Sequence, residues 1–250
     1  MSAAIEVRDL RFTYGKGIEA LRGVSFSIAD GECVGLIGPN GAGKSTLLLH
    51  LNGLLPESGS GPAAVFVQGM PVAAEHLPEV RRKVGLLFQD PNDQLFCPTV
   101  YEDVAFGPQQ FGLGDGDIRE RVGRSLGMVG LAGFEKRAPH HLSVGEKRRV
   151  CLAGVLACDP AILVLDEPTT SLDPRGRRDL KALLRRIPIT KLIATHDLEL
   201  VVELCSRVII LAGGCVVAEG PTIPLLSDEA LMLRHDLETP HILRHLHPHG

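Results

Sequence analysis

An α/β fold with an inserted helical subdomain is predicted by three features of this sequence. Short apolar runs bounded by turn signals recur at 32–37, 84–88, 161–165 and 192–195, as strands buried on both faces require. Helical patterns follow several of them, at 44–53, 177–186 and 198–205, and strand-then-helix repetition marks a parallel sheet covered by helices. Between residues 90 and 156 the strand runs disappear, and helical patterns at 99–106, 117–129 and 144–157 are separated by glycines.

Ahead of this core, Ile5-Glu6-Val7-Arg8 and Val24-Ser25-Phe26-Ser27-Ile28 alternate apolar and polar residues on either side of a bend at Gly15-Lys16-Gly17. That is the period of half-buried strands, and it predicts an N-terminal antiparallel β subdomain. A chain of 250 residues with 44% hydrophobic composition can bury one substantial core with room for an insertion. Its 26 Lys and Arg against 30 Asp and Glu leave a formal charge of −4, which offers no positive field for a nucleic acid. The basic clusters Arg81-Arg82-Lys83, Lys147-Arg148-Arg149, 175–178 and Arg185-Arg186 are scattered and read as solvated faces or local contacts.

Cys33, Cys97, Cys151, Cys158, Cys205 and Cys215 form no CxxC pair and mostly sit among apolar residues. They are expected to be buried, reduced thiols of a cytosolic protein. The opening MSAAIEVRDL places acidic residues where a signal peptide needs an apolar core. The longest apolar run, 208–218, has 11 residues and two glycines, whereas a membrane span needs about 20. Work at a membrane would require docking onto another protein's helices.

The strongest motif is Gly38-Pro39-Asn40-Gly41-Ala42-Gly43-Lys44-Ser45, the pattern GxxxxGK[ST] directly after a strand and before a helix. Glycines let successive N–H groups curl toward phosphate oxygens, and the helix adds its N-terminal dipole and unpaired donors. Lys44 would neutralise the β- and γ-phosphates, and the Ser45 hydroxyl would coordinate Mg2+. Further on, Ile162-Leu163-Val164-Leu165-Asp166-Glu167 ends a buried strand in two carboxylates, at a sheet edge where α/β proteins bind ligands. Asp166 suits Mg2+ held through water, and Glu167 suits orientation or deprotonation of an attacking water. Either motif alone also reads as a Gly-rich turn or a polar strand end.

With Leu142-Ser143-Val144-Gly145-Glu146 between these motifs and Thr195-His196 after them, the chain over residues 3–225 resembles the ATP-binding-cassette ATPases. The resemblance implies a RecA-like P-loop NTPase core, hydrolysis of ATP with Mg2+, and two cassettes that sandwich two ATP molecules. Each site then combines one subunit's phosphate loop with the other's signature loop. It also implies an ATPase domain at 1–225, with the helical subdomain inserted at 90–156, and a His-containing tail at 226–250.

By the same likeness Tyr14 would stack on adenine, and Gly38, Pro39, Asn40, Gly41, Ala42, Gly43, Lys44, Ser45 and Thr46 would cradle the phosphates. Ser45, Gln89 and Asp166 would serve Mg2+, and Glu167, His196 and Gln89 would be catalytic. Ser143 and Gly145 would reach the γ-phosphate of the opposite subunit, and Asp173 in Ser171-Leu172-Asp173 would cross the dimer interface. Outside that context Tyr14 reads as a half-buried strand aromatic, His196 as a strand-end histidine and Gln89 as a turn residue. The signature departs from the usual LSGGQ at Val144 and Glu146. Ser143 and Glu146 make a capping box for an apolar helix. Valine takes positive φ only at a cost, so a slightly altered loop and a tuned ATPase are expected.

The apolar run Gly85-Leu86-Leu87-Phe88 breaks at Gln89 into Asp90-Pro91-Asn92-Asp93-Gln94-Leu95-Phe96, then Pro98-Thr99-Val100 and an acidic stretch to Pro108. This wording is similar to the ATPases of energy-coupling-factor importers, in particular those of cobalt and nickel uptake. It implies a transmembrane coupling subunit docking near 89–108, a membrane substrate-binding subunit, a homodimer of ATPases, and a peripheral place on the cytoplasmic face of the membrane. His235, His241, His245, His247 and His249 gather in the tail, and the i,i+4 spacing of His241 and His245 can put two imidazoles on one helix face. Imidazole suits nickel and cobalt. No carboxylate or thiol joins them at ligand spacing, so the tail is read first as solvated.

The expectation is therefore a Mg-ATP-hydrolysing cassette driving cobalt or nickel uptake. Its rivals are a vitamin importer of the same kind, which would pair with a different cassette, and a soluble cassette outside transport. The second should lack the 89–108 wording. A non-hydrolysing regulatory module would need a damaged site, yet Lys44, Asp166, Glu167 and His196 are all present.

Overall fold

The computed structural model describes residues 3–56 and 63–244. In chain order the first elements are β1 (Ala3–Tyr14), β2 (Ile18–Ala29), β3 (Cys33–Ile37), α1 (Lys44–Leu51), β4 (Val65–Val67), β5 (Met70–Pro71), α2 (Leu77–Lys83) and β6 (Val84–Leu87). The helical insertion follows as α3 (Val100–Gln110), α4 (Asp115–Met128) and α5 (Val144–Ala157). The chain then returns through β7 (Ile162–Asp166), α6 (Pro174–Arg186), β8 (Thr190–Ala194), α7 (Leu198–Leu204), β9 (Arg207–Ala212) and β10 (Cys215–Pro221). Three short helices, α8 (Thr222–Leu226), α9 (Glu229–Arg234) and α10 (His241–Arg244), close the described chain.

Two sheets result. The first is antiparallel, in the order β2-β1-β4-β5, with Val7 opposite Phe26 and Gly15–Gly17 turning the chain between β1 and β2. The second has the order β10-β9-β3-β8-β7-β6 and is parallel except for β10, which runs antiparallel to β9. The predicted strands and the three inserted helices are present. The strands β4 and β5 and helix α2 carry too few residues to show a period, and the 208–218 run divides at Gly213-Gly214 into the β9–β10 hairpin.

Strand alternation divides the parallel sheet's side chains between two cores. Val34, Leu36, Ile162, Val164, Leu192 and Ala194 face one core, which they share with Leu47, Leu48 and Leu51 of α1 and with Ile5, Val7 and Leu21 of the antiparallel sheet. Ile37, Leu163, Leu165, Ile193 and Ile210 face the other, packed by α3–α7. Thus α1 is held between two sheets, and truncating a fully buried leucine there costs about 2–5 kcal/mol. That burial fixes the helix whose first residues are Lys44, Ser45 and Thr46.

Three expectations need correction. All six cysteines are free, but only Cys151 and Cys205 are buried. The other four are half-buried because they lie at or beside element ends, Cys33 opening β3, Cys97 preceding α3, Cys158 closing α5 and Cys215 opening β10. Arg148 is not solvated; it is 2% exposed. The described part of the tail is not free in solvent either, since Met232 and Leu243 are buried in the second core. His245, His247 and His249, and with them the His241/His245 pair, lie outside the described residues. Among the described residues no group of three or more His, Cys, Asp or Glu is placed to hold a metal ion. No helix among them is long and apolar enough to cross a membrane.

Candidate active site

Two glycines of the loop between β3 and α1, Gly38 and Gly43, are dictated by neighbouring backbone. A Cβ on Gly38 would stand 2.0 Å from the Leu211 carbonyl oxygen of β9. Gly43 has φ 102°, a left-handed conformation, and a Cβ there would stand 2.7 Å from the Ala20 carbonyl oxygen of β2. No side chain caps α1 at Gly43. Lys44 folds over the loop, its Nζ donating to the carbonyls of Gly38 at 2.7 Å and Pro39 at 3.1 Å. Burial lowers the lysine's pKa, opposed by the charges of Glu167 and Asp166. The Tyr14 hydroxyl lies 3.1 Å from Thr46 Oγ1, and its ring is braced edge-on by Phe12 at 4.9 Å. With 40% of its surface exposed, Tyr14 keeps a free face beside the loop.

The ends of β7 and β8 supply the facing groups. Asp166 is buried, which raises its pKa, opposed by a hydrogen bond with Ser45 and the charge of Lys44. Glu167 follows with φ 47°, a left-handed conformation that costs a non-glycine residue about 1–3 kcal/mol. Its N–H donates to Ala194 O at 2.8 Å, while its Oε2 lies 2.8 Å from His196 Nδ1 and accepts from Thr195 Oγ1 at 3.1 Å. Thr195 N in turn donates to Leu36 O at 3.1 Å. Three strand ends therefore converge at the carboxyl edge of the parallel sheet, where α/β proteins bind ligands. An ammonium, a hydroxyl and two carboxylates within one cluster fit a nucleotide phosphate with a hard divalent cation, and the hydrogen-bonded Ser45 and Asp166 oxygens could serve as donors to Mg2+.

Ser143, Gly145 and Asp173 gather elsewhere. They line a cavity of about 510 Å³ with Ser171, Leu172 and Gly176, and no phosphate-loop residue borders it. Ser143 caps α5 reciprocally with Glu146: its N–H donates to Glu146 Oε2 at 2.8 Å, and Glu146 N donates to Ser143 Oγ at 3.3 Å. Val144 is the first helical residue and is not among those with positive φ, so the anticipated loop adjustment is not needed. Asp173 caps α6 by accepting from Gly176 N at 2.7 Å.

Gln89 sits just beyond β6, beside Val144, Arg148, Thr170 and Ser171. Its carbonyl accepts from Arg148 Nη2 at 2.5 Å, and the Phe88 carbonyl accepts from Nη1 at 3.3 Å. Of the expected residues, the structure brings Tyr14, 38–46, Asp166, Glu167 and His196 together; it sets Ser143, Gly145 and Asp173 on a second surface, with Gln89 beside α5.

The family model described as ABC transporter matches residues 21–170, from β2 to the turn after β7. The chain belongs to the ABC transporter ATPase family. It is an ATP-hydrolysing transporter subunit. The cassette is 52% identical over 238 residues to a putative ABC transporter ATP-binding protein of Streptomyces coelicolor, covering 95% of this chain and 90% of the relative. It is 47% identical over 239 residues to the energy-coupling factor transporter ATP-binding protein EcfA of Methanothermobacter thermautotrophicus, covering 94% of this chain and 76% of that one. Among solved structures it is similar to cbiO1 from Clostridium perfringens, part of the ABC transporter complex cbiONQ. That likeness has 34% identity and a TM-score of 0.79, over 98% of this chain and 99% of the other.

Arg148 is the residue of this cassette that motif reading misses. Helical spacing does not single it out, because α5 beyond it is buried nearly all round, at Val150, Cys151, Leu152, Ala153, Val155, Leu156 and Ala157.

Proposed function

We propose that this cassette, read as residues 1–225, is the motor of an energy-coupling-factor importer that takes up a divalent transition metal, cobalt or nickel. The observation that carries the motor is the meeting of Lys44, Ser45, Asp166, Glu167 and His196 at one sheet edge. Likeness to EcfA and to cbiO1, together with the 89–108 wording, supports the importer class.

In this reading Tyr14 stacks on adenine, and backbone N–H groups of Gly38 to Thr46 hold the phosphates with Lys44. Ser45, Asp166 and Gln89 would hold Mg2+, which when bound would neutralise charge developing on the phosphates. Glu167 orients and deprotonates the attacking water, and His196, fixed by Glu167, donates to the γ-phosphate. A second copy supplies Ser143 and Gly145 across the sandwich, with Asp173 crossing between copies. ATP binding closes this homodimer and hydrolysis reopens it.

The motion leaves through the segment after Gln89 to a membrane coupling subunit that works with a membrane substrate-binding subunit. Phe96 and Phe106 suit that dock: they are 64% and 41% exposed, and their rings meet edge-on at 4.9 Å. The cassette then sits peripherally on the cytoplasmic face. The test is ATPase activity of the complex purified with its membrane subunits, with Co2+, Ni2+ or vitamins as cargo. Stimulation by one of the two ions is expected. Stimulation by a vitamin alone would overturn the metal reading and leave the motor standing.

A further inference from the structure

Helix α5 does more than present the signature at its N-terminus. On the next turn, one side of the helix holds the chain that leaves β6 by four hydrogen bonds from three residues. Arg148 donates to the carbonyls of Phe88 and Gln89, Lys147 Nζ donates to Asn92 Oδ1 at 3.0 Å, and Cys151 Sγ donates to Pro91 O at 3.7 Å. Residues 88–92 are thereby tied to α5 from one end to the other. Lys147 and Cys151 are four apart, so these donors occupy one helical face.

Arg148 is the unexpected member. It is 2% exposed, its Nε has no hydrogen-bond partner, and among the described residues it makes no ion pair. Burial lowers its pKa, and the charges of Asp90, Asp166 and Glu167 oppose that. A buried cation without a direct counter-ion is an expensive way to fill space, and an apolar side chain of similar volume is often as stable or more so. What a guanidinium adds is a planar fork, here reaching two successive carbonyls. Gly145 lies three residues before Arg148 on the same helix, so the fork joins the signature turn to the backbone of Gln89 through a single helical turn.

We infer that Arg148 is a positioning residue for hydrolysis: its fork fixes Gln89 to the signature helix, so that Gln89 and the Ser143–Gly145 turn move as one unit. A displacement of the 89–108 segment by a membrane partner then shifts the signature and the glutamine together. The inference rests on the proposed role of Gln89 at the Mg2+ and water centre.

The test is steady-state hydrolysis by the full chain carrying Arg148→Met, Arg148→Lys, Gln89→Ala, and Gln89→Ala combined with each Arg148 variant. Misplacing a catalytic group by about 1 Å costs up to roughly 100-fold, so Arg148→Met is expected to lower kcat by about 10- to 100-fold. The KM for ATP should stay within about threefold, and the lysine variant should recover part of the loss. Residues acting as a unit are non-additive, so the double variants should be no slower than the slower single variant. Multiplicative losses would overturn the inference, as would wild-type kcat in Arg148→Met beside a slow Gln89→Ala. An unimpaired Gln89→Ala would instead bring down the assignment of Gln89 and the inference with it. Should Arg148→Met fail to fold, the Arg148→Lys cycle decides by the same additivity criterion.

Discussion

Glu167 and His196 form a fork at the ends of two neighbouring strands, Glu167 Oε2 lying 2.8 Å from His196 Nδ1. The pair is set by backbone as much as by side chains, because Glu167 takes φ 47° and its N–H is held by Ala194 O at 2.8 Å. Glu167→Gln removes the base while keeping that geometry, and general-base loss typically costs 10²–10⁴-fold. Hydrolysis should fall by about that factor and an ATP-bound dimer should accumulate, read by light scattering. A monomer with unchanged turnover would refute the assignment of Glu167. His196→Ala, losing one donor to developing charge, should lower kcat by roughly 10²–10³-fold.

Gly38 has no room for a methyl group, with Leu211 O 2.0 Å from the Cβ position. The obstacle is strand backbone, which cannot rotate aside. Gly38→Ala should therefore lower the thermal midpoint as well as ATP affinity, whereas Gly41→Ala meets no neighbour within 4 Å and strains only its φ of 77°. Equal thermal midpoints for the two variants would contradict the packing argument.

A stability prediction concerns the opposite end of the sheet. Glu32 accepts from Arg207 through both oxygens, at 2.7 and 3.1 Å, which holds its carboxyl below the usual 4.5 against the opposing effect of burial. A depressed carboxylate pKa stabilises the fold fully above the unfolded value and loses that contribution as pH falls through the native one. Glu32→Ala should cost about 1.5–3 kcal/mol near neutrality. In urea titrations its deficit against wild type should persist down to pH 4.5 and shrink below it. A deficit that grows on acidification would show that the carboxylate is not the source.

At the proposed membrane dock, Phe96→Asp replaces an exposed ring with a carboxylate and leaves the nucleotide site untouched. Hydrolysis by the isolated cassette should stay within about twofold, since surface changes of this kind usually alter stability by under 0.5 kcal/mol. Co-purification with the membrane subunits should be lost. Retained co-purification would move the dock away from Phe96.

The parallel sheet was legible because its strands are short apolar runs, and the site because Gly38–Ser45 and Asp166-Glu167 carry their chemistry in adjacent residues. What escaped has physical causes. β4 and β5 are three and two residues long, too short for a period. Arg148 looked like one of three surface cations, since α5 is buried nearly all round beyond them and its spacing does not tell Arg148 from Lys147 or Arg149. Glu167's positive φ and its contact with His196 depend on how β7 and β8 end side by side, a relationship no local pattern encodes. Val144 misled because a loop altered by valine's resistance to positive φ was expected where the chain had already entered α5.

The central claim is tested most directly by uptake of radiolabelled cobalt and nickel into cells expressing this cassette with its native membrane partners, against cells carrying Glu167→Gln. Uptake of one ion that disappears in the variant is the predicted result. Assembled complex with no ATPase-dependent uptake of either ion would contradict it.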